Sequence, residues 1–151
     1  MCTFQVRRTA VAAEHWRGQL AREDVVLLRS GDDGQWVVGT RDGALYLVDL
    51  DGEWVAPLVP GSQGARIPGP CWLGEWRTVR LNGTLSMQVT PIGEPAVPEQ
   101  RVRTNWVTFV EPVDAAPSYA LACWQQDLEP REVLTDVTAT VRALIAACAK
   151  E

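Results

Sequence analysis

The chain is poor in the residues that most often carry chemistry. Its 151 residues include one histidine, two phenylalanines and two tyrosines. The single histidine, His15, stands beside Glu14 and Trp16 in a stretch of helical spacing. A Ser-His-Asp or Cys-His site needs a base oriented next to a nucleophile. No G-x-S-x-G elbow is present, and no cysteine sits in a catalytic context. The four cysteines, Cys2, Cys71, Cys123 and Cys148, are scattered, with no C-x-x-C pair and no neighbouring histidine. Zinc requires clustered ligands, so no metal is expected. Without a secretion signal a disulfide framework is not expected either, and buried free thiols are. The glycines form neither a phosphate-binding G-x-x-x-x-G-K-[ST] loop nor a dinucleotide G-x-G-x-x-G turn, so no cofactor is expected. Paired-carboxylate catalysis stays open only because nineteen acidic residues always offer some pair.

Long apolar runs and basic charge are lacking too. Nowhere do about eighteen apolar residues follow one another, so no membrane span is expected. The opening "MCTFQVRRTAVAAEHW" places two arginines where the apolar core of a signal peptide would begin, and a cytoplasmic location follows as the expectation. Fourteen basic residues against nineteen acidic give a net charge of -5 and no footprint for nucleic acid. An acidic surface instead suits a basic partner. With 46% apolar and 22% charged residues in 151, one globular domain over residues 1–151 is expected.

What is present is strand punctuation. Asp33-Gly34, Asp42-Gly43 and Asp51-Gly52 separate "QWVVGTR", "ALYLVDL" and "EWVAPLV", each rich in Val, Leu, Trp and Tyr. Asp-Gly readily forms the type I′ turn of a tight hairpin, so Val25 to Val59 is expected as four antiparallel strands in a meander. Asn82-Gly83 within "WRTVRLNGTLSMQV" predicts a further hairpin. Strands are also expected over residues 2–7, 101–110 and, in "SYALACW", 118–124. Two breaker segments, "PLVPGSQGARIPGP" at 57–70 and "PIGEPAVPEQ" at 91–100, predict loops, and loops of the first one's length are often functional. Thr9 to Arg22 has helical spacing. From Pro130 to Ala149, Leu134, Val137, Val141, Leu144/Ile145 and Cys148 form one apolar helical face.

Two readings of the Asp-Gly series fail on spacing. A calcium loop starting at Asp49 would have ligands at Asp51 and Glu53, but its obligatory sixth-position glycine is Trp54. "RDGALYLVDLDGEWV" resembles one repeat of the quinoprotein-type propellers, yet it occurs once, and a propeller needs at least about four blades. The resemblance therefore implies no cofactor.

The expected fold is α+β: an antiparallel β-meander sheet of about seven or eight strands, bent or barrel-like, with an N-terminal helix and a C-terminal amphipathic helix packed on it. Seven tryptophans are the one excess. Indoles gather where one edge is wet and are frequent binding hot spots. In "CWLGEWRTV", Trp72, Gly74 and Trp76 fall on one face of an ideal strand. The expected function is non-catalytic protein binding by a small acidic cytosolic protein, such as a toxin-neutralising immunity protein or an effector chaperone. Its partner would be a basic toxin or effector, with Trp72, Trp76, Arg66 and Trp54 as contact residues. A carbohydrate- or small-ligand-binding β domain using the same indoles is the alternative, and an enzyme of unrecognised type the third. The sequence specifies no oligomeric state.

Overall fold

The computed structural model describes residues 25–64 and 66–149. The strand expected over residues 2–7, the helix expected over Thr9 to Arg22, and His15 lie outside them. Among the described residues eight strands are found: β1 (Val26–Leu28), β2 (Gln35–Thr40), β3 (Leu45–Asp49), β4 (Trp54–Val59), β5 (Cys71–Trp76), β6 (Val79–Arg80), β7 (Thr84–Pro91) and β8 (Gln100–Pro112). Two helices follow, α1 (Pro117–Trp124) and α2 (Pro130–Ala149). Six strands close an antiparallel barrel in the order β2-β3-β4-β5-β7-β8, and β1 pairs with β6 in a separate ribbon.

The barrel follows from the alternation of β-branched and aromatic residues. Trp36, Val38, Tyr46, Val48, Val55, Cys71, Leu73, Leu85, Met87, Val89 and Val107 point inward and form one core cluster. The intervening residues of β2 to β4 point outward but are buried as well. Val37 and Leu45 pack against Tyr119 and Cys123 of α1, and Leu47, Trp54 and Ala56 pack against Val141 of α2. Burial on both faces is why these strands read as continuous apolar runs. Gly39 serves the same layer, since a Cβ there would lie 2.1 Å from the Phe109 ring.

The meander holds for β2, β3 and β4 but not for the first of the four expected strands. Residues 29–34 carry the chain away from β2, with Arg29 N donating to Asp32 Oδ2 at 2.9 Å. β1 then joins β6, where Leu27, Leu28 and Val79 complete the interior core. The Asp-Gly turns are not of type I′, which demands positive φ at both central residues. At the second pair only Gly43 is left-handed (φ 92), and Gly43 N donates to Thr40 O, as in a type I turn followed by a bulge. At the third, the left-handed residue is Glu53 (φ 57). Asn82 (φ 64) likewise turns the chain one position early, Gly83 N donating to Arg80 O. The hairpin expected there is built from β5 and β7, with β6 a detour between them.

α1 corrects the strand expected over 118–124. Seven apolar and small residues suit either period, and tertiary contacts decide. Pro117 suits a first helical turn. Ser118 and Tyr119 donate their backbone N–H groups to Glu111 Oε1 at 2.9 and 3.2 Å. Glu111 is only 2% exposed, so this carboxylate is committed to neutralising the start of the helix. The Tyr119 hydroxyl donates to Pro130 O at 2.8 Å and ties α1 to the start of α2. In α2, Leu134, Val137, Val141, Leu144, Ile145 and Cys148 all face the barrel, as their periodicity predicts.

β4 pairs with β5 only through Trp54 and Val55. Beyond them it is an edge, which tolerates Pro57 inside a strand. α2 covers this thin seam with Asp136, Val137 and Thr140 beside Pro57 and Pro70. The 57–70 loop also folds inward, Ile67 being 1% exposed and part of the interior core. Among the described residues no helix is long and apolar enough to cross a membrane.

Candidate functional site

The four residues expected to form a contact surface are separated by the fold. Trp54 lies opposite Trp72 across the β4–β5 seam, but its indole is 5% exposed beneath α2. It is a core residue. Trp72 points outward and is 37% exposed. Trp76 does not share its face. Leu73 pairs with Val89 and Trp76 with Met87, so β5 spends three residues where β7 spends two. This bulge turns Trp76 onto the interior core. Arg66 is exposed at the opposite end of the barrel. Tryptophan content alone does not say which indoles are free; a bulge and a helix decide that.

Trp76 forms one wall of a cleft of about 180 Å³, together with Leu50, Leu73, Gly74, Asp32 and Glu53. Such a volume is below the usual size of a small-molecule site. A groove of about 360 Å³ runs beside α2 between Pro68–Pro70 and Pro91–Glu94, with Leu144 at its side. Its lining holds one charged side chain, Glu94, and no convergent polar set.

Among the described residues the most exposed large apolar side chains are elsewhere. Leu121 is 55% and Trp124 60% exposed, both on the outward side of α1. With exposed Pro117 they stand at i, i+4 and i+7, an apolar stripe along a helix whose other side is buried through Tyr119 and Cys123. Exposed carboxylates flank it in the chain: Asp114 before the helix, Asp127 and Glu129 after it. Expecting a strand here hid this stripe. The available signals were the four-residue step from Tyr119 to Cys123 and the proline that opens the helix.

Charge is sorted between the two ends of the barrel. One end carries Asp32, Asp33, Asp51 and Glu53 on the β1–β2 and β3–β4 connections, with Asp49 closing β3 and Arg29 opening the first connection. These loops brace each other: Gly34 N donates to Asp51 Oδ1, Leu50 N to Gly34 O, and Gln35 Nε2 to Asp49 Oδ2. At the other end the Arg41 guanidinium lies 4.4 Å above the ring of Trp106, which is 49% exposed. Asn105 Nδ2 and Arg66 Nη2 both donate to Gln63 Oε1, at 3.2 and 3.1 Å. Asp42 pins this loop from beneath, accepting from the Thr40 hydroxyl at 2.6 Å and from Gln63 N at 3.4 Å. Desolvation would raise the Asp42 carboxyl, but these hydrogen bonds outweigh it and hold it below the ordinary aspartate value.

The buried thiols are the opposite of activated nucleophiles. Burial, with a smaller push from Glu94, raises Cys71 to about 11, and burial also raises Cys123. Among the described residues no three His, Cys, Asp or Glu side chains are grouped to hold a metal. No protein-family model matches the chain, and neither curated proteins nor solved structures give a match.

Proposed function

We propose that the protein is a non-catalytic protein-binding module that takes a basic partner on α1. The observation that carries this reading is the pair Leu121 and Trp124, more than half exposed on one helix side and flanked by Asp114, Asp127 and Glu129. An isolated exposed apolar residue needs no explanation, but an indole and a leucine side by side do. Trp is the residue type most enriched at binding hot spots, and a rim of carboxylates steers cationic groups toward it. A second copy of the chain fits poorly, because antiparallel pairing of two α1 helices brings Asp114 of one against Asp127 of the other. A toxin or effector with a basic, partly apolar segment is the kind of partner this surface suits, in keeping with the immunity-protein or chaperone role expected from the sequence.

The test is titration with a lysine-rich amphipathic peptide, followed by tryptophan fluorescence. Binding is expected to weaken at least tenfold in the double variant Leu121→Ala/Trp124→Ala while the melting temperature holds. Equal binding by wild type and double variant would sink the proposal. A response to simple sugars with none to the peptide would favour the carbohydrate-binding alternative.

A further inference from the structure

A second surface, of opposite charge and remote in sequence from α1, lies at the Arg41 end of the barrel. The backbone brings its parts together. Arg41 N donates to Trp106 O at 2.8 Å, and Thr84 of β7 pairs with Trp106 of β8. The turn carrying Arg80 is held against β8 by Asn82 N donating to Val107 O and Val107 N to Gly83 O. Arg41, Arg66, Arg80 and Arg103 are all exposed. Among the described residues none of the four has a carboxylate within ion-pair distance, whereas Arg101 pairs with Glu75 at 3.2 Å. In a chain with nineteen acidic residues this is not for want of partners. Asp42, next to Arg41 in the chain, instead accepts from Thr40 and Gln63.

The geometry points to this rim as a binding site for an acidic peptide segment, with the Arg41–Trp106 stack receiving a carboxylate. Holding the guanidinium over the indole restricts its rotamers, and no carboxylate among the described residues takes up its N–H donors, which can make a two-pronged bond to an incoming carboxylate. Arg66 is ordered through Gln63, which Asn105 also holds, so a second cation stands ready along the same rim. Ordering both arginines in advance lowers the entropic cost of binding. Nucleic acid would meet the same donors, but it needs a continuous basic track. Here the track is interrupted where Glu75 pairs with Arg101 at 3.2 Å, and the chain carries -5 overall.

The site is tested on the full chain with a blocked hexaglutamate peptide and, in parallel, a single-stranded hexanucleotide. The side-chain N–H signals of Trp106 and Arg41 are followed by NMR. The peptide is expected to shift both signals saturably, and its affinity to fall at least tenfold in Arg41→Ala and several-fold in Arg41→Lys, which keeps the charge but loses the planar fork. Both variants are surface changes and should melt as wild type. Unshifted signals overturn the proposal, as does unaltered affinity in Arg41→Lys, which would mean diffuse attraction only. Binding of the oligonucleotide in preference to the peptide overturns it as well.

Discussion

Trp54 and Trp72 are direct neighbours across two strands of one barrel, yet one is 5% exposed and the other 37%. They mark the border between two halves of the wall. In β2, β3 and β4 both sides of the strand are buried, because α1 and α2 cover the outside. In β5 only the inward residues Cys71 and Leu73 are buried, while Trp72 and Gly74 face outward. Strand chemistry is alike on the two sides of the border. What differs is whether a helix lies on top, so the same indole is structural on one side and available on the other.

The sharpest way to break this comparison is to truncate both indoles. Trp54→Ala should cost about 3–5 kcal/mol of unfolding free energy, as expected for a large core side chain. Trp72→Ala should cost under about 1 kcal/mol, nearer to what surface changes do. Urea denaturation compares them directly, and equal losses would place the border elsewhere. The next effect concerns how the covering layer is attached. Glu111→Ala leaves the N–H groups of Ser118 and Tyr119 without their acceptor, at a cost of about 1–3 kcal/mol. Hydrogen exchange should then rise first in α1, with Glu111→Gln restoring part of the protection. Uniform exchange across the barrel would show that α1 does not depend on this carboxylate.

The smallest effect lies in the turn between β2 and β3, at the rim of the covered half. The Asp42 carboxyl titrates below the ordinary value of 3.8 in the folded state, so the unfolded chain binds the proton more readily. Its contribution to stability is thus full above about pH 4 and is lost as pH falls through the lower folded value. Asp42→Asn should flatten that part of the stability–pH curve and leave the region above pH 5 parallel to wild type. A curve of unchanged shape would show that the hydrogen bonds of Thr40 and Gln63 to Asp42 carry no net energy.

Much of the covered half was legible in the residues. β2 to β4 announced themselves through Val- and Leu-rich runs cut by Asp-Gly, and α2 through Leu134, Val137, Val141 and Ile145 at helical steps. The uncovered half was harder. The face shared by Trp72 and Trp76 in an ideal strand is broken by a bulge between Leu73 and Trp76, and only pairing with β7 reveals it. α1 was misread because seven residues of mixed apolar character satisfy two periodicities, and with it went Leu121 and Trp124. The Arg41–Trp106 stack joins residues sixty-five positions apart, beyond any local pattern.

By itself the sequence determined that β2, β3 and β4 extend, that the chain turns near each Asp-Gly pair, and which side of α2 is apolar, because these depend on φ preferences and on spacing within a few residues. Tertiary structure alone decided that the sheet closes, that β1 pairs with β6, that Trp54 is covered, and that Arg41 comes to lie over Trp106. Those outcomes depend on which distant surfaces meet, and an indole or a guanidinium carries no mark of its eventual neighbour.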